Sequence, residues 1–353
     1  MKIRVAILDE DKSYLDSFVA MFGNKYLGKL ELYTFTDLTI ALNNIEARKI
    51  DVFLANASIE LDVALLPSRC AFAYLVDTVD AETIHGKSAV CKFQRMDIIY
   101  KQIENLYADV SQITMRKSKS AGNHKMLLFS SPSGGSGSSV MAVACAKHLA
   151  ALGKRVLYLN LEKFGTSDVY FRADGIYDFS DLLYAIKIKH VNLNMKLESY
   201  VRQDVSGVYF YAPEKNLLDF LEMNAEDLQT LIDSLGSTDA YEYIVIDREF
   251  DLDKSSLDIC CWADYLIMTV DGENASNNKV KRVIDALHTI EDVKEINILD
   301  HTYLIYNMFS NKTGKKLDDI DVEIIGGVPT IVHATTDMIV QSLAEMPMWN
   351  RFV

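Results

Sequence analysis

A glycine- and serine-rich stretch separates two apolar segments in the middle of the chain. Residues 131–139 read SPSGGSGSS, follow the apolar run 126–130 and precede an apolar helical pattern over 140–152. A loop of this kind between a strand and a helix points backbone N–H groups into one concavity, to which the helix N-terminus adds positive charge. Glycine permits the close approach of a phosphate and positive φ angles. The stretch predicts an anion site, and the alternative is a turn that only caps the helix.

Polar residues also stand where apolar runs end. Residues 155–159 lead into Asn160 and, two positions later, Glu162, whereas residues 243–246 lead into Asp247. A carboxylate at a strand end can hold the hydration shell of Mg²⁺, a hard cation that prefers oxygen. Acids at strand ends are common in any α/β fold, so this pattern acquires meaning only beside the glycine loop.

The loop resembles the deviant Walker A motif of the MinD/ParA ATPases, whose pattern is KGGxGK[ST]. The glycines and Ser139 match, but serines replace both lysines. The resemblance implies ATP and Mg²⁺ as ligands, and a nucleotide-contacting set of Ser133, Gly134, Gly135, Ser136, Gly137, Ser138, Ser139 and Val140. Two lost lysines should weaken binding and hydrolysis, because one lysine about 4 Å from a phosphate contributes roughly 4 kcal/mol at an effective dielectric near 20. Lys163 or Arg248 could compensate.

Four further segments resemble this superfamily in the same chain order. Asn160 and Glu162 correspond to the two acids of switch I, which gives them a catalytic role in the resemblance. Asp247 ends a strand like Walker B, so Ser139 and Asp247 are the expected Mg²⁺ residues, the latter through water. Asn307 corresponds to the residue that reads adenine, and residues 326–329 (GGVP) resemble a turn beside the base, formed by Val328 and Pro329.

The front of the chain resembles a response-regulator receiver. Residues 9–11 (DED) end the first predicted strand, where receivers keep the acids that bind Mg²⁺, and Lys92 matches the lysine that contacts the phosphoryl group. The phosphate-acceptor position is occupied by Asn56 instead of Asp. An amide is a poor nucleophile, so phosphoryl transfer to this position should fail. The alternative is an unrelated small α/β domain.

Strands alternate with helices throughout, which predicts parallel sheets covered on both faces. We expect two doubly wound α/β domains: a receiver-like, flavodoxin-like domain over 1–112 and a P-loop nucleotide-binding domain over 125–353. Residues 113–124 are small, polar and basic and predict a linker. Second-domain strands are expected near 126–130, 155–160, 208–211, 243–247, 265–270, 301–307 and 323–326, with long helices from Gly137 and near Asn274.

Composition narrows the functional classes. The chain has 353 residues and a formal net charge of −14, which disfavours general nucleic-acid binding. The sequence shows neither a signal-peptide pattern nor an apolar run long enough for a membrane span, so a cytoplasmic protein is expected. The five cysteines are expected to be buried free thiols, and the histidine spacing does not indicate a metal centre. The aromatic tail over 346–353 is expected to pack on the protein rather than on a membrane.

An atypical receiver followed by a MinD/ParA-like domain resembles the TadZ/CpaE family, which helps to localise and assemble the Tad (type IVb) pilus machinery at the cell pole. The resemblance implies an ATP-binding localisation factor with weak or absent hydrolysis. It also implies a homodimer, pilus or secretion-assembly partners, and recruitment to the pole or the inner membrane face. Two alternatives remain: an ATPase switch that positions another cargo, such as DNA or a division site, and a scaffold that does not bind nucleotide.

Overall fold

Apolar runs of about five residues alternate with helices along the chain, as the sequence predicts. In chain order, the strands are β1 (Ile3–Leu8), β2 (Leu30–Phe35), β3 (Val52–Asn56), β4 (Ala71–Val76), β5 (Thr83–Ile84), β6 (Lys87–Cys91), β7 (Lys125–Ser130), β8 (Val156–Asn160), β9 (Arg202–Gln203), β10 (Tyr209–Phe210), β11 (Tyr243–Asp247), β12 (Tyr265–Val270), β13 (Thr302–Phe309) and β14 (Glu323–Pro329). The helices are α1 (Lys12–Lys25), α2 (Leu38–Ala47), α3 (Met96–Val110), α4 (Ser138–Ala151), α5 (Ser167–Tyr170), α6 (Phe179–Lys187), α7 (Leu193–Tyr200), α8 (Leu217–Leu221), α9 (Ala225–Gly236), α10 (Lys254–Trp262), α11 (Asn274–Lys294) and α12 (Thr336–Ala344).

The structure is a computed structural model, and it describes residues 2–79, 81, 83–110 and 124–353. These residues form two units. The first contains the described residues up to 110 together with Ile188–Tyr200, and the second contains 124–187 and Val201–Val353. The expected linker over 113–124 lies outside the described residues, apart from His124.

The first unit is a sheet with strand order β2-β1-β3-β4-β6-β5. Its strands pair in parallel, except that β5 pairs antiparallel with β6. The helices α1 and α3 bury aromatic and aliphatic residues on one face, and α2 packs on the other. This arrangement is the doubly wound sheet that the sequence predicts.

A segment distant in sequence completes the first unit. Helix α7 packs against α3, where the buried Lys196 ammonium lies 2.6 Å from an Asp109 carboxylate oxygen. The side-chain amide of Asn192 donates to the Ala108 carbonyl at 2.9 Å. These residues fall within 125–353, which the sequence analysis assigned to the second domain, whereas the structure places Ile188–Tyr200 with the first unit.

The second unit is built on a sheet of order β14-β13-β12-β7-β11-β8-β10-β9. Strand β7 lies between β12 and β11 and is parallel to both, which puts the glycine loop at the middle of the sheet's carboxyl edge. Helix α4 packs on this sheet with a stretch of small and medium residues, Met141 to Ala146, that is entirely buried. The phosphate-loop strand and helix are therefore anchored in the core.

The structure confirms the predicted fold class and the predicted positions of the principal strands. The aromatic tail packs as expected: Trp349 and Phe352 are fully buried, and the Trp349 indole donates to the Leu343 carbonyl at 2.7 Å. One expectation is wrong. Four cysteines are buried free thiols, but Cys261 is exposed, because it lies on the outer side of α10 while its neighbour Cys260 faces the core.

Candidate functional site

The glycine loop has the backbone of an anion cradle. Gly135 and Gly137 have φ angles of 77° and 80°, a region that other residues rarely adopt. Gly137 is the N-cap of α4, and as a glycine it has no side chain that could cap this helix. The first N–H groups of α4 therefore point to the loop without a side-chain acceptor, which is the arrangement that favours a bound anion.

Serine hydroxyls replace cations inside this loop. Ser133 is buried, and its N–H donates to the Ser131 hydroxyl at 3.0 Å. The hydroxyls of Ser136 and Ser138 are buried and have no hydrogen-bond partner among the described residues. Unpaired buried hydroxyls are costly unless a ligand or water meets them. The loop is thus polar and neutral at both positions where the motif has lysine.

Asn307, at the end of β13, fastens the loop from the side. Its amide nitrogen donates to the Ser136 carbonyl at 2.9 Å, and the side chain is buried. The same amide would collide with a Cβ at position 137. Gly137 is therefore required twice, by its positive φ and by the close approach of Asn307.

Asp247 lies beside the loop at the end of β11. In register it pairs with Phe129 of β7 on one side and Asn160 of β8 on the other. It is fully buried, and its Oδ2 accepts a hydrogen bond of 2.7 Å from the Tyr158 hydroxyl. Its Oδ1 is also buried and has no partner among the described residues. One carboxylate oxygen is thus fixed and the other is free for a ligand.

Glu162 and Ser139 surround the same carboxylate. Burial, then repulsion from Glu162, raises the pKa of Asp247 to about 7, although the nearby hydroxyls of Tyr158 and Ser139 act in the opposite direction. Burial and repulsion from Glu249 raise the pKa of Glu162, and Ser139 again opposes the shift. Repulsion among these acids disfavours their charged forms, and a bound cation would remove that cost.

Asn160 shapes the segment after β8. Its side-chain oxygen accepts from the Glu162 N–H at 2.9 Å, and its amide nitrogen lies 3.5 Å from the Tyr158 hydroxyl. The two cations considered as substitutes for the missing lysines are elsewhere. Lys163 and Arg248 both line a separate cavity of about 180 Å³ beside α8, α9 and the start of α10.

The first unit has its own acid pocket. Asp9 is almost fully buried, and its Oδ2 accepts from the Asn56 amide at 3.0 Å and from the Lys92 ammonium at 3.1 Å. Lys92 also lies 2.8 Å from an Asp77 oxygen. Burial lowers the pKa of Lys92, but its hydrogen bonds with the two acids outweigh burial and raise it. The pocket is thus closed by an internal ion pair.

Comparison with known families identifies both units. The model for the TadZ-like receiver domain matches residues 1–108, and the model for an AAA domain matches residues 124–299. The chain thus joins a receiver domain that matches the TadZ-like model to an AAA domain, and the fold of the AAA domain is similar to that of a ParA-family ATPase. The resemblance stated from the sequence is confirmed.

A solved structure supports the fold of the AAA domain. The ParA-family ATPase from Chlorobium tepidum TLS is similar with a TM-score of 0.52 and 19% identity, covering 65% of this chain and 96% of its own. MinD from Aquifex aeolicus, in its complex with MinC, gives a TM-score of 0.49 and 18% identity over 65% of this chain and 95% of its own. No curated protein sequence matches the chain.

In the AAA domain, the structure brings together most of the predicted site residues. The glycine loop, Ser139, Glu162, Asp247 and Asn307 meet at the carboxyl edge of the sheet. Residues 326–329 form the end of β14 instead of the expected turn, and the Val328 side chain is buried in the core with α4, whereas their place beside a base stays a prediction. Pairing of β14 with β13 explains this extension, since the ladder continues to Phe309 and Pro329.

Sequence reasoning missed Tyr158 and Glu249, which join the acid cluster of the AAA domain. Tyr158 stands in an apolar run and looks like an ordinary core residue, whereas its hydroxyl contacts Asp247. Glu249 follows Asp247 by two positions and accepts a hydrogen bond from the Lys163 N–H at 2.9 Å. After the effect of burial, it is the next largest cause of the raised pKa of Glu162. Its acidity close to a strand end was the available signal.

Proposed function

We propose that the AAA domain binds ATP together with Mg²⁺ at the glycine loop. The observation that carries this proposal is that an uncapped helix N-terminus and the buried Asp247 carboxylate follow adjacent strand ends, and that Oδ1 of Asp247 has no hydrogen-bond partner among the described residues. The first attracts an anion and the second attracts a cation. A phosphate-bound Mg²⁺ satisfies both.

The residues present fit these ligands in a defined way. Backbone N–H groups of Gly134 to Ser138 would hold the phosphates, and the Ser139 hydroxyl would bind Mg²⁺ while Asp247 faces its hydration shell. Among the described residues no group of three or more His, Cys, Asp or Glu side chains could hold a metal, so most Mg²⁺ ligands would come from phosphate and water. Bound Mg²⁺ neutralises phosphate charge and offsets the repulsion between the two nearby acids.

The base is proposed to lie beside the end of β13, with Asn307 and the backbone of Val328 and Pro329 at its edge. Asn307 would serve two purposes, because its amide already fastens the loop through Ser136. A nucleotide would thus be bound by the same side chain that fixes its phosphate loop.

Hydrolysis is proposed to be slow or absent. Asn160 and Glu162 occupy the switch I positions, but Ser133 and Ser138 supply no positive charge to a developing phosphate anion. The carboxylates of Glu162, Asp247 and Glu249 oppose accumulation of negative charge there. Electrostatic stabilisation of the transition state is therefore weak.

At the level of the cell, we propose a localisation and assembly factor for a Tad pilus or a related secretion system. The match to the TadZ-like receiver model supports this role. The protein is proposed to act as a homodimer in the cytoplasm, recruited to the cell pole or the inner membrane face. No helix among the described residues is long and apolar enough to cross a bilayer.

Nucleotide binding is tested on the purified full chain. Denatured protein is analysed by chromatography for nucleotide carried through purification, and ADP or ATP is titrated by calorimetry with and without Mg²⁺. We expect Mg²⁺-dependent binding with a preference for adenine. The absence of heat and of a thermal shift at millimolar nucleotide would show a scaffold that does not bind nucleotide.

A gain-of-charge variant sharpens the test. Ser138→Lys returns a cation to the loop and should tighten binding of Mg-ADP at least tenfold, since even a fraction of roughly 4 kcal/mol is sufficient. Ala151→Lys adds the same charge at the exposed end of α4 and should leave affinity unchanged. Equal affinities in all three proteins would contradict phosphate binding at this loop.

The pilus role is tested in the native host. Deletion of the gene should abolish surface pili, and a fluorescent fusion should concentrate at one pole. Normal piliation together with a diffuse or nucleoid-bound fusion would favour the positioning of another cargo.

A further inference from the structure

Tyr158 is placed where an apolar residue would satisfy the fold. It stands in the middle of β8, is almost fully buried, and packs its ring on Phe171 at a centroid distance of 5.0 Å. A buried phenol must find a hydrogen-bond partner, and this one finds Asp247 Oδ2 at 2.7 Å. The hydroxyl therefore meets the one carboxylate proposed to face Mg²⁺.

Because of this contact, the two carboxylate oxygens of Asp247 have different surroundings. Oδ2 is occupied by the phenol, whereas Oδ1 is buried without a partner among the described residues. The amide nitrogen of Asn160 lies 3.5 Å from the same phenol oxygen, which accepts from it and donates its own hydrogen to Asp247. The result is a short chain of contacts from Asn160 through Tyr158 to Asp247.

We propose that Tyr158 is a positioning residue, which fixes the Asp247 carboxylate so that its Oδ1 remains directed to the hydrated Mg²⁺ of the bound nucleotide. This inference rests on the proposed nucleotide function. Groups that orient the partners of a metal typically change metal affinity by about 10- to 100-fold when they are removed. A hydroxyl that merely satisfies the core would change stability and leave Mg²⁺ affinity unaltered.

The test compares Mg²⁺ affinity at saturating ADP in the full chain. Tyr158→Phe removes only the hydroxyl, and we expect the apparent Kd for Mg²⁺ to rise about tenfold or more. Tyr170→Phe is the matched control. Burial and the nearby charges of Asp247 and Glu162 raise the pKa of Tyr170, so this hydroxyl lies in the same region. Among the described residues, however, it donates a hydrogen bond to neither acid. We expect wild-type Mg²⁺ affinity in that control.

A double-variant cycle separates positioning from structure. In an Asp247→Asn background, Tyr158→Phe should have no further effect on Mg²⁺ affinity, because its route to the metal is already lost. An equal loss in both backgrounds would overturn the proposal, as would an unchanged Mg²⁺ affinity in Tyr158→Phe alone. If wild-type protein binds no ADP, the proposed function fails instead, so the two failures are distinguishable.

Melting curves accompany each variant. If Tyr158→Phe does not fold, the same titration is made with Asn160→Ala, which removes the amide that orients the phenol and keeps the ring packing. Weaker Mg²⁺ binding in this variant that disappears in the Asp247→Asn background supports the chain of contacts, whereas wild-type affinity, or an equal loss in both backgrounds, overturns it.

Discussion

The Lys92 ammonium lies 3.1 Å from the Asp9 carboxylate in the interior of the receiver domain. Their side chains are only 8% and 2% exposed, so the lysine neutralises an acid that would otherwise be buried without compensation. The Asn56 amide donates to the same oxygen of Asp9. The pocket of a phosphate-accepting domain is here occupied by the side chains of the chain itself.

Removal of Lys92 should therefore destabilise the receiver domain. Lys92→Met leaves Asp9 buried and unpaired, and we expect the free energy of unfolding to fall by about 3–5 kcal/mol. The pair Asp9→Asn with Lys92→Met removes both charges and should recover most of that loss. Urea unfolding measures both, with Lys87→Met at the exposed start of β6 as control. A loss below about 1 kcal/mol would show that the ion pair is dispensable.

The same pocket should not accept phosphate. Asn56 presents an amide where an acceptor carboxylate is needed, so incubation with acetyl phosphate and Mg²⁺ should leave the mass of the protein unchanged. Intact-mass spectrometry is the measurement, and a phosphorylatable receiver treated in parallel shows that the reagent is active. A base-labile acyl phosphate on Asp51 would overturn the alignment with receivers.

Some contacts of the candidate site can be predicted from the sequence, and others cannot. Asp247 and the glycine loop meet because strand-end residues of neighbouring parallel strands share one edge, a rule that a single sequence already supports. The ion pair between Lys196 and Asp109 joins residues far apart in the chain, and no local sequence pattern predicts it. Tyr158 is similar, since its partner lies 89 positions away and its surroundings are those of any apolar strand.

The ends of strands are also difficult to predict from the sequence. The doublet Gly326-Gly327 suggests a turn, yet pairing with β13 draws the segment into β14, so the tertiary ladder overrides the local preference of glycine. Strand β2 is hard to recognise from the sequence, because it is largely half-exposed and Glu31 interrupts its apolar run.

Two glycines of the phosphate loop should respond differently to a methyl group. Gly137→Ala forces alanine to a φ of 80° and into the Asn307 amide, so we expect unfolding free energy to fall by about 1–3 kcal/mol and Mg-ADP binding to be lost. Gly134→Ala meets nothing within 4 Å and should stay within about 0.5 kcal/mol of wild type. Chemical denaturation and calorimetry provide the comparison. Equal tolerance at both positions would contradict the loop geometry.

The buried carboxyl group of Asp247 should increasingly destabilise the folded protein as the pH rises. Its pKa in the folded protein is about 7, above the ordinary value of 3.8, because burial and then Glu162 disfavour the charged form. The folded state therefore retains a proton that the unfolded chain releases, and stability is lost progressively from about pH 4 to pH 7. Asp247→Asn removes this loss, which is on the order of a few kcal/mol at pH 8.

Thermal melting between pH 4 and pH 8 in the absence of Mg²⁺ tests this expectation. The advantage of Asp247→Asn over wild type should grow across that interval and then level off. Asp285→Asn, at an exposed position on α11, should follow the wild-type curve throughout. A constant difference between Asp247→Asn and wild type at every pH would mean that the carboxyl does not titrate in this range.

The proposed homodimer should depend less on nucleotide than a lysine-bearing relative would. Ser133 is buried in the loop and neutral, so it cannot reach across to phosphates held by a second copy. Contact must then come from protein surface, and Phe164 offers it, because this side chain is 73% exposed two residues after Glu162. A symmetric interface can bury such an exposed apolar side chain against its own copy. Light scattering at tens of micromolar should show a dimer with and without Mg-ATP, and Phe164→Ser should shift it toward monomer.

The control for this variant is Val293→Ser, which removes a similarly exposed side chain, 77% accessible on α11, and should leave the dimer intact. A strict monomer in both conditions would refute the dimer, whereas a sharp transition driven by ATP would show that the serines in the loop do not weaken the composite site.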